Sequence, residues 1–266
     1  MKRDESARGA RRAHRKTQQA PGDLTHQAAM TPSDYGRPLP RGTWDRQYRE
    51  GALEFLDSIG ELAHYMVIAG YVHYLFKSPT ILDVGCGHGR LVDLLEAFSF
   101  TSYVGIDLSP EAIKRAELRQ KKNTRFHVAN FDEWNPTERF AVMVFCESLN
   151  YAKHPAYALL RYARALESNG AIIVSLYRHP NHGRIWKNIE KCFRTVDSTT
   201  VTNHTGQTWD IKVFRQKLEG ALRPGTPVRG GDGPAGRDPG AGGRETGSRP
   251  PAAARRRRGP GPSRRP

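Results

Sequence analysis

Three glycines at alternate positions directly after a five-residue apolar run restrict this chain more than any other feature. The segment runs Thr80-Ile81-Leu82-Asp83-Val84-Gly85-Cys86-Gly87-His88-Gly89. An apolar run this short reads as a strand buried on both faces, the kind found in parallel sheets. Glycines let the backbone turn sharply and let a ligand approach without a Cβ in the way. Leu91 to Phe98 then has helical spacing. The unit is strand, tight turn, helix, with its unusual residues at the carboxyl end of the strand, where open parallel sheets bind ligands.

The same alternation continues along the chain. Ser102 to Ile106 is a second apolar run, ended by Asp107. Ser109 supplies an N-cap and Pro110 a first helical residue for a helix to about Lys121. Strands are expected at Thr124 to Ala129, Phe140 to Phe145 and, after an Asn169-Gly170 stop, Ala171 to Tyr177, with a helix from Pro155 to Glu167 between the last two. A short helix near Arg184 to Ile189 precedes strands Cys192 to Val201 and Trp209 to Phe214, separated by a Thr205-Gly206 turn. Ahead of the sheet, Leu53, Phe55, Leu56, Ile59, Leu62, Ala63, Met66, Val67 and Ala69 recur at steps of three and four, which predicts one or two helices between Trp44 and Lys77. The class is α/β, a mostly parallel sheet with helices on both faces.

Composition sets the limits of this domain. Hydrophobic residues are 37% of the 266, and the deficit lies at the two ends. Residues 1–42 form a polar, basic leader and residues 218–266 a tail rich in Gly, Pro and Arg; both are expected to be disordered. The tail's vocabulary is that of GC-rich codons, as an out-of-frame translation would give. Nine Lys and Arg stand against four Asp and Glu in residues 1–42, and eleven against three in 221–266, so of the net +15 only +2 belongs to the body between them. Nucleic-acid binding is therefore expected only through the tails. Three distant cysteines suggest neither a disulfide framework nor a zinc site, and no metal is expected. No apolar stretch reaches the ~20 residues of a spanning helix, and no leader resembles a secretory signal. A reducing cytoplasm is the expected compartment, with no membrane partner.

The glycine loop admits three chemistries. A P-loop needs Gly-Lys-Ser/Thr, which is absent, and the dinucleotide fingerprint needs Gly at position 90, which is Arg. The remaining pattern, Asp-x-Gly-x-Gly-x-Gly after an apolar strand, resembles motif I of the class I S-adenosylmethionine-dependent methyltransferases. Its partners follow at later strand ends: Val104-Gly105-Ile106-Asp107-Leu108-Ser109, His127-Val128-Ala129-Asn130-Phe131-Asp132, and Val144-Phe145-Cys146-Glu147-Ser148-Leu149-Asn150-Tyr151. The resemblance covers about residues 44–217, its motifs lying between Ile81 and Val174.

That resemblance implies a Rossmann-like seven-stranded sheet of order 3-2-1-4-5-7-6 with strand 7 antiparallel, in a domain spanning 43–217 with an N-terminal helical lid. It implies S-adenosyl-L-methionine as cofactor. Gly85, Cys86, Gly87 and Gly89 would cradle it, Asp83 would hold the loop and the methionine amino group, and Asp107 with Leu108 would meet the ribose. Asn130 stands where the family commonly has an Asp that accepts from the adenine amino group; an amide oxygen can still accept. Phe131 would lie along the adenine ring, with Asp132 as the fallback contact. Cys146 and Glu147 would flank the methionine portion, both Cys86 and Cys146 reading as packing residues rather than nucleophiles.

Methyl transfer from a sulfonium depends mostly on alignment. A base is needed for a protonated acceptor, and His154, Glu147, His179 and His182 are the candidates. Each histidine also has a plainer reading, His154 as a helix cap and His179 to His182 as an exposed turn. Tyr151 and Tyr177 could line an acceptor pocket, and Trp44, Tyr48 and Tyr65 a lid. The Asn/Asp-Pro-Pro-aromatic tetrapeptide of amino-methylating DNA enzymes is absent after the fourth strand. A small-molecule oxygen or nitrogen acceptor is the leading expectation. The alternatives are an RNA or protein methyltransferase tethered by its Arg-rich tails, and a catalytically silent methyltransferase-like scaffold.

Overall fold

A computed structural model describes residues 36–217; the leader as far as residue 35 and the tail from 218 lie outside the described residues. The described part opens with helices α1 (Arg41–Arg49) and α2 (Ile59–Leu75), joined through a 3-10 turn at Glu54–Asp57. Then come β1 (Thr80–Val84), α3 (Arg90–Leu94), β2 (Ser102–Asp107), α4 (Pro110–Glu117), β3 (Thr124–Val128) and β4 (Phe140–Cys146). The second half holds α5 (Pro155–Tyr162), β5 (Leu166–Tyr177), α6 (His182–Cys192), β6 (Phe193–Thr202) and β7 (Thr208–Gln216). The strands form one sheet of order β3-β2-β1-β4-β5-β7-β6. β1 to β5 pair parallel, and β7 runs antiparallel between β5 and β6. This is the order and the antiparallel seventh strand that the motif resemblance implied.

Strand periodicity divides the core into two layers. Ile81, Tyr103, Val142, Val144 and Ile173 face one way and pack against α2, α3 and α4. Their neighbours Leu82, Val104, Met143, Phe145, Ile172 and Val174 face the other way and pack against α5 and α6. Because successive side chains point to opposite faces, strands covered on both sides must be apolar throughout, as β4 is: all seven of its residues are buried.

The departures from the sequence expectations are local. β5 begins at Leu166 rather than Ala171, so Asn169-Gly170 is inside the strand and is no stop. The β4–β5 register shifts between Phe140 and Val142, and a Cβ on Gly170 would press on Leu166 and the Ala141 carbonyl. This glycine serves a bulge, a use that resembles a turn signal in sequence. α5 accordingly stops at Tyr162 and α4 at Glu117, each continued by a tighter turn, and α6 is longer than expected. The phase of α2 also differs from the apolar count: Ile59 and Met66 are exposed, while Glu61, His64, Tyr65, Ile68 and Val72 are buried. The helix is apolar nearly all round, so its pattern cannot fix which side meets the sheet.

Candidate cofactor and acceptor site

The site is built at the carboxyl ends of β1, β2 and β4, where strand order reverses between β1 and β4. Gly85 and Cys86 both donate backbone N–H groups to the Ile106 carbonyl, at 2.8 and 2.9 Å, so the loop after β1 is pinned to β2. Gly85, Gly87 and Gly89 have φ of 77°, 55° and 81°. At these left-handed values a side chain is strained, and space forbids one as well: a Cβ on Gly85 would overlap Ser148 Cβ, and one on Gly87 would stand 2.7 Å from the Tyr48 hydroxyl.

Asp107 closes the loop from the other side, accepting from the Gly87 N–H at 3.0 Å and the Ser109 N–H at 2.9 Å. Burial raises its carboxyl to about 6 despite these bonds. Asp83 lies beneath the loop. It accepts the Tyr103 hydroxyl at 2.5 Å on one oxygen, its other oxygen is buried without a partner, and burial raises it to about 7. It does not itself line the cavity.

α1 lies across this end of the sheet. Asp45 accepts the Ser109 hydroxyl at 2.5 Å, and Ser109 in turn caps α4 by accepting from the Ala112 N–H. Arg115 donates to the Tyr48 carbonyl. Trp44 meets Tyr151 edge to face at 5.0 Å. Trp44, Tyr48 and Tyr65 thus wall a cavity of about 220 Å³ whose floor is Gly85 to His88.

Of the residues expected to bind cofactor, Gly85, Cys86, Gly87, Asp107, Leu108, Asn130, Phe131 and Cys146 all line this one cavity, with Glu147 beside them. Gly89 is one residue beyond the lining and packs on Ala116 where the chain enters α3. The 130–132 loop is held by Arg161, which donates to the carbonyls of Phe131 and Asp132, and by the Tyr162 hydroxyl on Phe131. Asn130 is partly occupied by local work: its side-chain oxygen accepts from the Asp132 N–H at 3.1 Å.

Glu147 is the most unusual residue of the site. Its φ is +53°, the sole positive value among the described non-glycine residues, a conformation that costs energy and concentrates at functional positions. Its carboxylate accepts from the Ser175 hydroxyl at 3.0 Å and the Tyr177 N–H at 2.7 Å. Burial raises it to about 8, with the nearby Glu61 carboxylate adding to the rise.

The histidines named as candidate bases are not brought in. His154 is exposed and lines a neighbouring groove; His179 accepts from the Asn181 N–H in the following turn; His182 is buried with its Nδ1 2.7 Å from the Tyr177 carbonyl. Two residues that sequence reasoning missed stand behind the wall instead. His64 Nε2 is 2.9 Å from Glu61, its Nδ1 is 3.8 Å from Cys146 Sγ, and its ring stacks on Trp209 at 4.6 Å. A polar pair three residues apart inside an otherwise apolar helix was the signal available. His88 also faces the cavity and meets Asp57 at 3.2 Å.

The family profile for a methyltransferase domain matches residues 55–214, which contains this site and nearly the whole sheet. The chain belongs to the class I methyltransferase family. Over 106 residues it is 37% identical to the mitochondrial ubiquinone biosynthesis O-methyltransferase of Candida albicans, a match covering 37% of this chain and 32% of that protein. The chain spans about a third of the length of the curated relatives it matches. Among solved structures, the methyltransferase fold is shared with the N-methyltransferase NodS of Bradyrhizobium japonicum in complex with S-adenosyl-L-homocysteine, with a TM-score of 0.57, 15% identity and coverage of 66% of this chain and 97% of that one. It is shared also with the 1,6-didemethyltoxoflavin-N1-methyltransferase of Burkholderia thailandensis, with a TM-score of 0.54, 18% identity and coverage of 66% and 86%. Among the described residues no helix is long and apolar enough to cross a membrane.

Proposed function

We propose that this chain transfers the methyl group of S-adenosylmethionine to an oxygen or nitrogen of a small-molecule acceptor. The observation that carries the reading is the shape of the cavity: a side-chain-free glycine floor at one end, and at the other a raised, constrained carboxyl beside aromatic walls. The residues suit the cofactor. A Cβ at Gly85 or Gly87 would crowd Ser148 and Tyr48 of the cavity wall, and the Asp107 and Glu147 carboxyls that line the cavity, with the unpartnered oxygen of Asp83 beneath the loop, suit a cationic ligand. Similarity to an O-methyltransferase, and a shared fold with a structure holding S-adenosyl-L-homocysteine, support the same reading.

When bound, the cofactor supplies an electrophilic methyl on a sulfonium. The protein's own residues do the rest. The loop and Asp107 fix the nucleoside end, while Trp44, Tyr48 and Tyr65 keep water out. Glu147, held by Ser175 and the Tyr177 backbone, carries its proton at neutral pH and, once ionised, takes the proton of the acceptor. Glu147 therefore replaces His154 and His179 as the proposed base, because it alone of the three lines the cavity.

The walls and the small volume favour a small acceptor over a polymer. The test is transfer of a labelled methyl group from cofactor into a fractionated cell extract. Label is expected in the small-molecule pool, and label confined to RNA or protein would refute the acceptor class.

A further inference from the structure

Beside the cavity runs a second concavity, a groove between α5, α6 and the segment entering α1. Pro38 and Lys153 line both spaces, so the groove adjoins the cavity there. Its charge is one-sided. Arg37, Lys153, Arg184 and Lys191 line it along with His154, and among the described residues no carboxylate does. Neither Arg37, Arg184 nor the Lys153 ammonium meets an acidic partner among the described residues. Several cations elsewhere in the body are paired, as Arg119 is with Asp57 and Asp93, Arg125 with Glu138, and Lys212 with Glu190.

A second observation stands at the same place. Asn150, in the 3-10 turn after β4, lines the groove with a side chain 1% exposed whose amide oxygen and nitrogen have no hydrogen-bond partner. Buried amides are ordinarily satisfied, and leaving one unmade is costly. An amide nitrogen beside unpaired cations is a donor set for an oxyanion.

We propose that the groove holds an oxyanion substituent of the acceptor, a carboxylate or phosphate, while the nucleophilic atom reaches Glu147 past Lys153, which lines both spaces. This deepens the methyl-transfer reading and rests on it. It also gives His154 a place, as one of the groups facing the anion and not as a base.

The test uses the full chain and two probes, inorganic pyrophosphate and S-adenosylhomocysteine, with the thermal unfolding midpoint titrated against each. Arg37→Met with Arg184→Met removes two cations that line the groove and not the cavity. Pyrophosphate is expected to stabilise the natural chain and to bind the double variant about tenfold more weakly or worse. S-adenosylhomocysteine should stabilise both alike. Equal pyrophosphate affinity in the two proteins, or none in the natural chain, overturns the groove assignment. Absence of stabilisation by S-adenosylhomocysteine in both would instead refute the methyl-donor reading beneath it. A third arm passes the labelled product of the extract assay over an anion-exchange resin at pH 8: retention is expected, while an unretained product, or one that proves to be RNA or protein, overturns the proposal.

Discussion

At the residue scale, the site depends on a few positions where backbone and space leave one solution. Gly85 combines a left-handed φ with a neighbour, Ser148, whose side chain stands where a Cβ would go. Gly85→Ala is expected to lower stability by ~1–3 kcal/mol from strain and collision and to abolish binding of S-adenosylhomocysteine, as urea unfolding and calorimetric titration would read. Glu147 makes a prediction with a sign. Its folded value of about 8 lies above that of an ordinary carboxyl, so the folded chain holds the extra proton. The associated stability is complete below about pH 4 and is lost as pH rises through 8. Asp83, at about 7, and Asp107, at about 6, act in the same direction. Glu147→Gln should therefore flatten the fall in unfolding midpoint between about pH 4.5 and 8. As the proposed base, the same variant should lose ~10²-fold or more in kcat, together with the rising limb of its pH profile.

At the element scale, α2 is the part the apolar pattern described least well. Its buried face carries Glu61 and His64, 2% and 0% exposed, against Trp209 of β7. Such a pair is stable only as a pair. His64→Leu leaves the Glu61 carboxyl buried beside Cys146 without its partner, and should cost ~1–3 kcal/mol. Glu61→Leu with His64→Leu should recover much of that loss, since replacing both partners by apolar groups is nearly neutral. A double-mutant cycle in urea measures the coupling, and additive single effects would show that the pair is not coupled. β5 teaches a related lesson. Gly170 looked like a terminator because a bulge glycine and a turn glycine are the same letter, and the pairing of Phe140 with Leu166 alone distinguishes them.

At the scale of the whole molecule, the Asp107 and Glu147 carboxyls line one cavity and Asp83 is buried beneath its glycine loop. A ligand bearing a sulfonium and an ammonium would draw all three toward ionisation. Binding of S-adenosylmethionine is therefore expected to release protons and to tighten between pH 6 and 8.5, more steeply than binding of S-adenosylhomocysteine, which lacks the sulfonium charge. Titration calorimetry in two buffers of different ionisation enthalpy measures the release; identical pH slopes for the two ligands would count against this arrangement. The division of charge belongs to this scale too. A body of +2 gives long-range attraction little part in selecting an acceptor, so the unpaired cations of the groove act at short range.

The sequence by itself determined the alternation of strands and helices and the glycine loop after β1, while the strand order came from the family resemblance. A buried parallel strand must be apolar along its whole length, and a loop that lets a nucleoside touch backbone must dispense with side chains, so β1, β2, β4 and Gly85 to Gly89 were legible without coordinates. Asp107 was legible because it ends a strand. What the tertiary structure decided is everything that rests on phase and meeting. It decided which side of an all-apolar α2 faces the sheet and brings His64 to Cys146, and that Asn130 spends its oxygen on its own loop. It also decided that His154 and His179 stand outside the cavity while Glu147 turns into it with a positive φ. Those outcomes depend on contacts between residues far apart in the chain, and a periodic pattern carries no information about which distant surface each face will meet.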